Sequence, residues 1–190
     1  MAEIHGVLLA AGRGRRFGSH KLLFPLPDGT PIAVAAARAL LAAVPRAIAV
    51  VCADDAALIA RLRAEGMGIV PNPDADAGVG SSIACGVRAL PAAHGVVIAL
   101  ADMPWLRAEA IAGVVQSLAS GSAIVAPAYE GRRGHPVGFA ARFREELEAL
   151  QGDEGAREIL ARHQESVTLM PVSDAGVLRD IDTPVDLASS

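Results

Sequence analysis

Short apolar runs recur through the first two thirds of the chain: HGVLLA (5–10), AIAVVC (47–52), MGIV (67–70), GVVIAL (95–100) and SAIVAP (122–127). Each holds four to six residues, too few for a helix, and predicts a buried strand. The stretches between them, 31–44, 54–66, 80–91 and 104–120, are longer, alanine-rich and helical in pattern. Pro31 and Pro104 suit first helical turns, and Asp54 and Ser81 suit caps. Strands alternating with helices predict an α/β fold: a mostly parallel sheet covered on both faces.

The rhythm changes after residue 127. AYEGRRGHPVGF (128–139) is turn-rich and predicts a hairpin or crossing loop, followed by helices near 140–150 and 153–163. Two short strands are expected near 167–170 and 176–180, and a last helix from DTPVDL onward. With no internal repeat, linker or charge block, residues 1–190 are expected to form one domain.

Composition narrows the function classes. A formal charge of −4 leaves no general basic surface for nucleic acid. No apolar run approaches the roughly 20 residues that span a bilayer, and no cleavable leader pattern opens the chain, so a cytoplasmic protein is expected. Cys52 and Cys85 stand in neither zinc nor disulfide spacing and read as inert small residues. Lys21 is the one lysine in 190 residues, which makes it conspicuous.

In open α/β sheets ligands bind beyond the carboxyl ends of the strands. Directly after the first strand the chain reads AAGRGRRFGSHK. Gly12, Gly14 and Gly18 allow sharp turns and close backbone approach, while Arg13, Arg15, Arg16 and Lys21 supply positive charge, the composition of a triphosphate cradle. The spacing matches neither GxxxxGK[ST] nor the dinucleotide fingerprint, and no acidic residue stands where a second strand would hold the ribose of NAD. A dehydrogenase is therefore disfavoured. A solvated arginine loop turned by glycines is the bland alternative.

Carboxylates follow other strands. Asp102 comes directly after GVVIAL, and Asp180 and Asp182 flank Ile181, where alternation places them on one side of an extended segment. Each of Asp102 and Asp182 alone reads equally as a helix cap. Together, two strand-end aspartates meet what magnesium bound to a nucleoside triphosphate needs. PNPDADAGVGSSIACG (71–86) has the small side chains of a loop wrapping a planar group, with Gly80, Ser81 and Ser82 at a helix start. His135 reads as a substrate contact, an acid/base group or a packed residue. Trp105 is assigned to packing, and His5, His20, His94 and His163 have no metal-ligand spacing.

In this order, LLAAGRGRRFGSHK (8–21), NPDADAGVGSSIACGV (72–87), LADMP (100–104), GRRGHPVGF (131–139), GDEGAREIL (152–160) and DIDTPVDL (180–187) resemble the MobA-like NTP transferase family, which finishes the molybdenum cofactor. The resemblance spans nearly the whole chain and implies a Rossmann-like three-layer α/β/α domain of the nucleotide-diphospho-sugar transferase type. LAAG at 9–12, where the guanylyl-transferring branch shows LAGG, is closest to the cytidylyl-transferring branch. The implied reaction joins CTP to molybdopterin, giving molybdopterin cytosine dinucleotide and pyrophosphate, with an apo molybdoenzyme as a possible receiver. Alternatives are GTP or another phosphorylated acceptor, a nicotinamide-dependent reductase, since some relatives are described as oxidoreductases, and a cofactor-insertion chaperone.

Residue by residue, the resemblance places Leu9, Ala10, Ala11, Gly12 and Gly14 around the nucleotide, with Arg16 and Lys21 on its phosphates. Gly80, Ser81 and Ser82 belong to the same site, Ser82 near the cytosine. Asp102 and Asp182 match magnesium-binding positions, the latter often asparagine in relatives, and Phe17 stands where methionine is common. Gly134, His135 and Pro136 would face the pterin. Arg16, Lys21 and Asp102 are the catalytic set: the molybdopterin phosphate, already ionised, attacks the α-phosphorus in line, so positioning and electrostatics suffice without a protein nucleophile.

Overall fold

A computed structural model describes residues 3–12, 17 and 20–187. Arg13, Gly14, Arg15, Arg16 and Gly18 of the glycine and arginine loop lie outside the described residues.

All five apolar runs form strands: β1 (Ile4–Ala10), β2 (Ala47–Cys52), β3 (Gly68–Asn72), β4 (Gly95–Leu100) and β5 (Ile124–Tyr129). The helices between them are α1 (Ile32–Ala43), α2 (Ala56–Ala64), α3 (Val79–Ala89) and α4 (Ala108–Ala119). The turn-rich segment is a hairpin-like insertion, with β6 (Arg132–Arg133) pairing antiparallel to β5 and β7 (Val137–Ala140) lying between β4 and β5. Two short helices, α5 (Arg144–Glu148) and α6 (Arg157–Arg162), precede β8 (Val167–Pro171), which runs parallel to β5.

The sheet order is β3-β2-β1-β4-β7-β5-β6, with β8 also on β5. β1 is parallel to both β2 and β4, so chain order reverses there and the carboxyl ends of β1 and β4 flank the switch point. Alternation along β1 separates two apolar layers. Leu8 and Ala10 pack with Ile32, Leu40 and Ile111 of α1 and α4, while Val7 packs with Ile83, Val87, Phe139 and Ile159 on the other face. Such fully buried branched side chains contribute about 1.5–3 kcal/mol each, and the three-layer α/β/α architecture rests on them.

Five local expectations are corrected. Residues 103–107 form turns, and α4 starts after Arg107, whose N–H donates to the Asp174 carboxylate. That external acceptor satisfies a donor at the helix entry and sets the start beyond Pro104. The α2 cap is Asp55, whose carboxylate accepts from Leu58 N–H, rather than Asp54, and Gly78 rather than Ser81 occupies the α3 cap position. Residues 175–178 make a 3-10 turn instead of a strand, because the Asp174 carboxylate accepts from Gly176 N–H and turns the chain. The final segment is a single 3-10 turn, Pro184–Leu187. Among the described residues, no helix is long and apolar enough to cross a membrane.

Candidate active site

Two backbone hydrogen bonds assemble the site from distant parts of the chain. Ala101 N–H donates to Leu9 O at 3.0 Å, and Ile181 N–H to Asp102 O at 2.9 Å. The end of β4 is thereby tied to β1 on one side and to the 180–182 segment on the other. Asp186 holds that segment's turn, accepting from Asp182 N–H, Thr183 N–H and Thr183 Oγ1 with one carboxylate oxygen. Those bonds keep the Asp186 carboxyl below the usual range.

Lys21 opens a 3-10 turn, Lys21–Leu23, fixed by burial of Leu22 in the core. Its ammonium donates to Asp102 Oδ2 at 2.8 Å and to Ile181 O at 2.6 Å, and Asp182 Oδ1 is 3.7 Å away. The lone lysine thus stands between the two carboxylates singled out as metal ligands. The Lys21 side chain is 10% exposed and that of Asp102 25%, so solvent screens this pair far less than a surface bridge. Partial desolvation, then the charges of Asp102 and Asp182, push the nearby Asp180 carboxyl above its ordinary range.

This cluster opens into a cleft of about 580 Å³ lined by Leu9, Ala11, Gly12, Ser82, Asp102 and Asp182, among others. That volume is of the size small-molecule sites occupy. Among the described residues no three His, Cys, Asp or Glu side chains gather to enclose a metal. Two carboxylates converging on one cationic point nevertheless fit an oxygen-preferring divalent ion that completes its shell with phosphate and water. Asp102 and Asp182 are the residues that would hold it.

The remaining nucleotide-site candidates divide. Ala10 faces the core layer under α1. Ser81 directs its hydroxyl at the carbonyls of Asp74 and Gly78, each at 2.8 Å. Gly80 donates its N–H to Gly152 O, and a Cβ there would lie 2.5 Å from Gln151 O. Its glycine therefore permits the 151–156 loop to seat on the first turn of α3.

That loop builds a second cavity of about 350 Å³, sharing Leu9, Val79, Leu100 and Asp153 with the first. Its floor is apolar, from Ile83, Ile98 and Phe139, and Arg133, Arg157 and Glu154 add charge. Gly134 and His135 line it as well. Gly134 is pressed against Val177 O, where a Cβ would stand 2.2 Å away, and Pro136 follows across a cis peptide bond. Burial drives the His135 pKa below 6.5, Asp102 opposing and Arg133 and Arg157 reinforcing the shift. The His135 Nδ1 atom is buried without a hydrogen-bond partner among the described residues, so a neutral imidazole faces the cavity with one nitrogen unused.

Sequence reasoning missed Asp153 and Arg157 as lining residues; the signal was the GDEGAREIL segment, whose approach to α3 only the tertiary fold discloses. The assigned bystanders keep ordinary partners. His20 Nε2 meets Asp55 at 2.8 Å, His94 Nδ1 accepts from Glu3 N–H, His163 meets Glu146, and the Arg179 guanidinium stacks 4.1 Å over the Trp105 ring. Cys52 Sγ donates to Ala11 O, and Cys85 Sγ to Pro71 O.

Comparison with known proteins bears on what such a site does. The chain is 33% identical over 189 residues to nicotine blue oxidoreductase of Paenarthrobacter nicotinovorans, covering 95% of this chain and 92% of that protein. It is 32% identical over 195 residues to the purine catabolism protein PucB of Bacillus subtilis strain 168, covering 94% and 91%. Among solved structures, Rv0371c of Mycobacterium tuberculosis in complex with manganese superposes with a TM-score of 0.82 at 26% identity, over 98% of this chain and 97% of that one. The model of the MobA-like NTP transferase domain matches residues 6–167. With two carboxylates and a lysine beside a nucleotide-sized cleft, and that match over most of its length, the chain belongs to the MobA-like NTP transferase family.

Proposed function

We propose that this protein is a cytoplasmic, magnesium-dependent cytidylyltransferase that joins CTP to molybdopterin, releasing pyrophosphate. The observation that carries the reading is the Lys21, Asp102 and Asp182 cluster beside two contiguous cavities, one sized for a nucleotide and one for an acceptor with a flat, partly apolar body.

In this reading a phosphate oxygen of the acceptor attacks the α-phosphorus of CTP. The bond from that phosphorus to the bridging oxygen breaks, and pyrophosphate departs with the electron pair. Lys21, with Arg16 from the preceding loop, offsets charge on the triphosphate. Asp102 and Asp182 would hold a divalent ion, which when bound would neutralise phosphate charge. Leu9, Ala11 and Gly12 bound the nucleotide, with Gly14 continuing the loop, while Gly80 and Ser81 shape the α3 turn that presents Ser82. Gly134, His135 and Pro136 form the acceptor side. An ionised phosphate nucleophile needs no base, so His135 serves to position the acceptor. The reading of CTP rather than GTP follows from LAAG at 9–12, the pattern of the cytidylyl-transferring branch.

The test is pyrophosphate release by purified protein with molybdopterin and magnesium, offering CTP, GTP and ATP separately. Release with CTP, lost in Asp102→Asn, is expected; preference for GTP would overturn the branch. A second reading, a nicotinamide-dependent reductase, is favoured by the name of one relative. Oxidation of NADPH without pyrophosphate release would establish it in place of transfer.

A further inference from the structure

No described residue of the connection from β2 to α2 lines either cavity, yet that connection touches two segments that line the larger one. On one side Cys52 Sγ, at the end of β2, donates to Ala11 O at 3.0 Å. On the other, Asp55 Oδ2 lies 2.8 Å from Nε2 of His20, the residue before Lys21. An ionised carboxylate only accepts, so the imidazole presents its N–H at that nitrogen. Ala11 and Lys21 both line the cleft.

Asp55 is a firmly held point. Its N–H donates to Cys52 O at 3.2 Å, and Cys52 stands in register with Asn72 of β3. Its Oδ1 accepts from Leu58 N–H at 3.1 Å as the cap of α2, which leaves Oδ2 for His20. His20 in turn stands at the start of the 3-10 turn that carries Lys21, its carbonyl accepting from Leu23 N–H at 3.1 Å. Lys21 is therefore held at both ends: its ammonium by Asp102 and Ile181 O, its backbone by the burial of Leu22 and by His20.

We propose that Asp55 is a positioning residue for nucleotide binding: through His20 it fixes the backbone from which Lys21 reaches the phosphates. A lysine ammonium rides on a flexible stem. Asp102, which holds its tip, is also assigned to the divalent ion, so in the loaded site the place of the ammonium depends on the base of the side chain. Charge alone makes the opposite demand, since a carboxylate near an anion site weakens the anion's binding and its removal strengthens it. This role rests on the reading of the larger cleft as the nucleotide site.

The test is equilibrium binding of CTP, GTP and ATP, each with magnesium, to the full chain; the nucleotide bound most tightly and its monophosphate are then offered to the variants. Asp55→Ser keeps a helix cap and lacks the second oxygen for His20. His20→Ala removes the other partner at a side chain 44% exposed, and His20→Gln offers an amide N–H in place of the ring N–H. Triphosphate affinity is expected to fall about three- to fivefold in Asp55→Ser and in His20→Ala, with no further loss in the double variant, and to return in His20→Gln. The monophosphate, with fewer phosphates for Lys21 to meet, should lose less. A rise in affinity in Asp55→Ser, or a loss in His20→Gln equal to that in His20→Ala, would show that the pair acts by charge and would overturn the proposal, as would equal losses for both nucleotides. If Asp55→Ser fails to fold, His20→Ala against His20→Gln decides alone. The expected losses without pyrophosphate release by the wild type would leave this role standing and remove the transferase reading. Pyrophosphate release with unchanged affinities in every variant would remove this role alone, and absence of binding by any nucleotide would remove both.

Discussion

Lys21 concentrates the account in one side chain, because two distant parts of the chain, at Asp102 and at Ile181–Asp182, converge on its ammonium. Lys21→Ala removes the cation between Asp102 and Asp182 and the side-chain donor to Ile181 O, a loss expected to cost about 1–3 kcal/mol of stability. Thermal unfolding with and without magnesium checks this: the variant should melt lower and recover more than the wild type when the ion is added. Equal melting would show that the lysine is not the counterion of this pair. His135 yields a prediction of definite sign. Its folded-state pKa lies below 6.5, so the unfolded chain takes up the proton first as pH falls. The stability due to a neutral imidazole is fully present above the unfolded value and is lost as pH falls through it toward the folded one. Urea unfolding at pH 7.5 and 5.5 should show a smaller acid loss in His135→Gln than in the wild type. His5, lowered in the same direction by its burial and by Arg144, is retained in both proteins and does not contribute to the difference.

At the scale of elements, the first turn of α3 is the joint between the two cavities. Arg144 anchors the other end of that helix, donating to the carbonyls of Val87, Leu90 and Pro91 and satisfying acceptors that the helix end leaves open. Gly80→Ala would force a methyl into the backbone of Gln151, where neither side can yield by a rotamer change. A loss of about 1–3 kcal/mol is expected, measurable by denaturant unfolding, together with weaker acceptor binding as the 151–156 loop lifts. An unchanged stability would mean the loop is not seated on α3. The strands and main helices were legible because burial on both faces leaves runs of apolar residues that no other state accommodates. The misplaced boundaries share a cause: Asp174 intervenes at Arg107 from 67 residues away and turns its own neighbours at Gly176, and a carboxylate acting across the fold leaves no local periodicity. The position of β7 between β4 and β5 was equally beyond local pattern.

For the whole molecule, three-layer packing around a reversing strand order directs the carboxyl ends of the parallel strands β1 to β4 to one rim, while antiparallel β7 ends at the other. That is why Lys21, Asp102 and Asp182, far apart in sequence, were legible as a site from their positions after predicted strands. The second cavity was not, because Asp153 and Arg157 reach it from a loop that follows no strand of the parallel core. The central claim, transfer of a nucleotidyl group to a phosphorylated acceptor, is tested most directly by following CTP labelled at the α-phosphorus with molybdopterin, magnesium and the wild-type protein. The account predicts that the label moves into a product whose mass equals molybdopterin plus cytidine monophosphate less water, in equal amount with pyrophosphate. Label remaining in unreacted CTP, with folded protein and intact acceptor present, would contradict it.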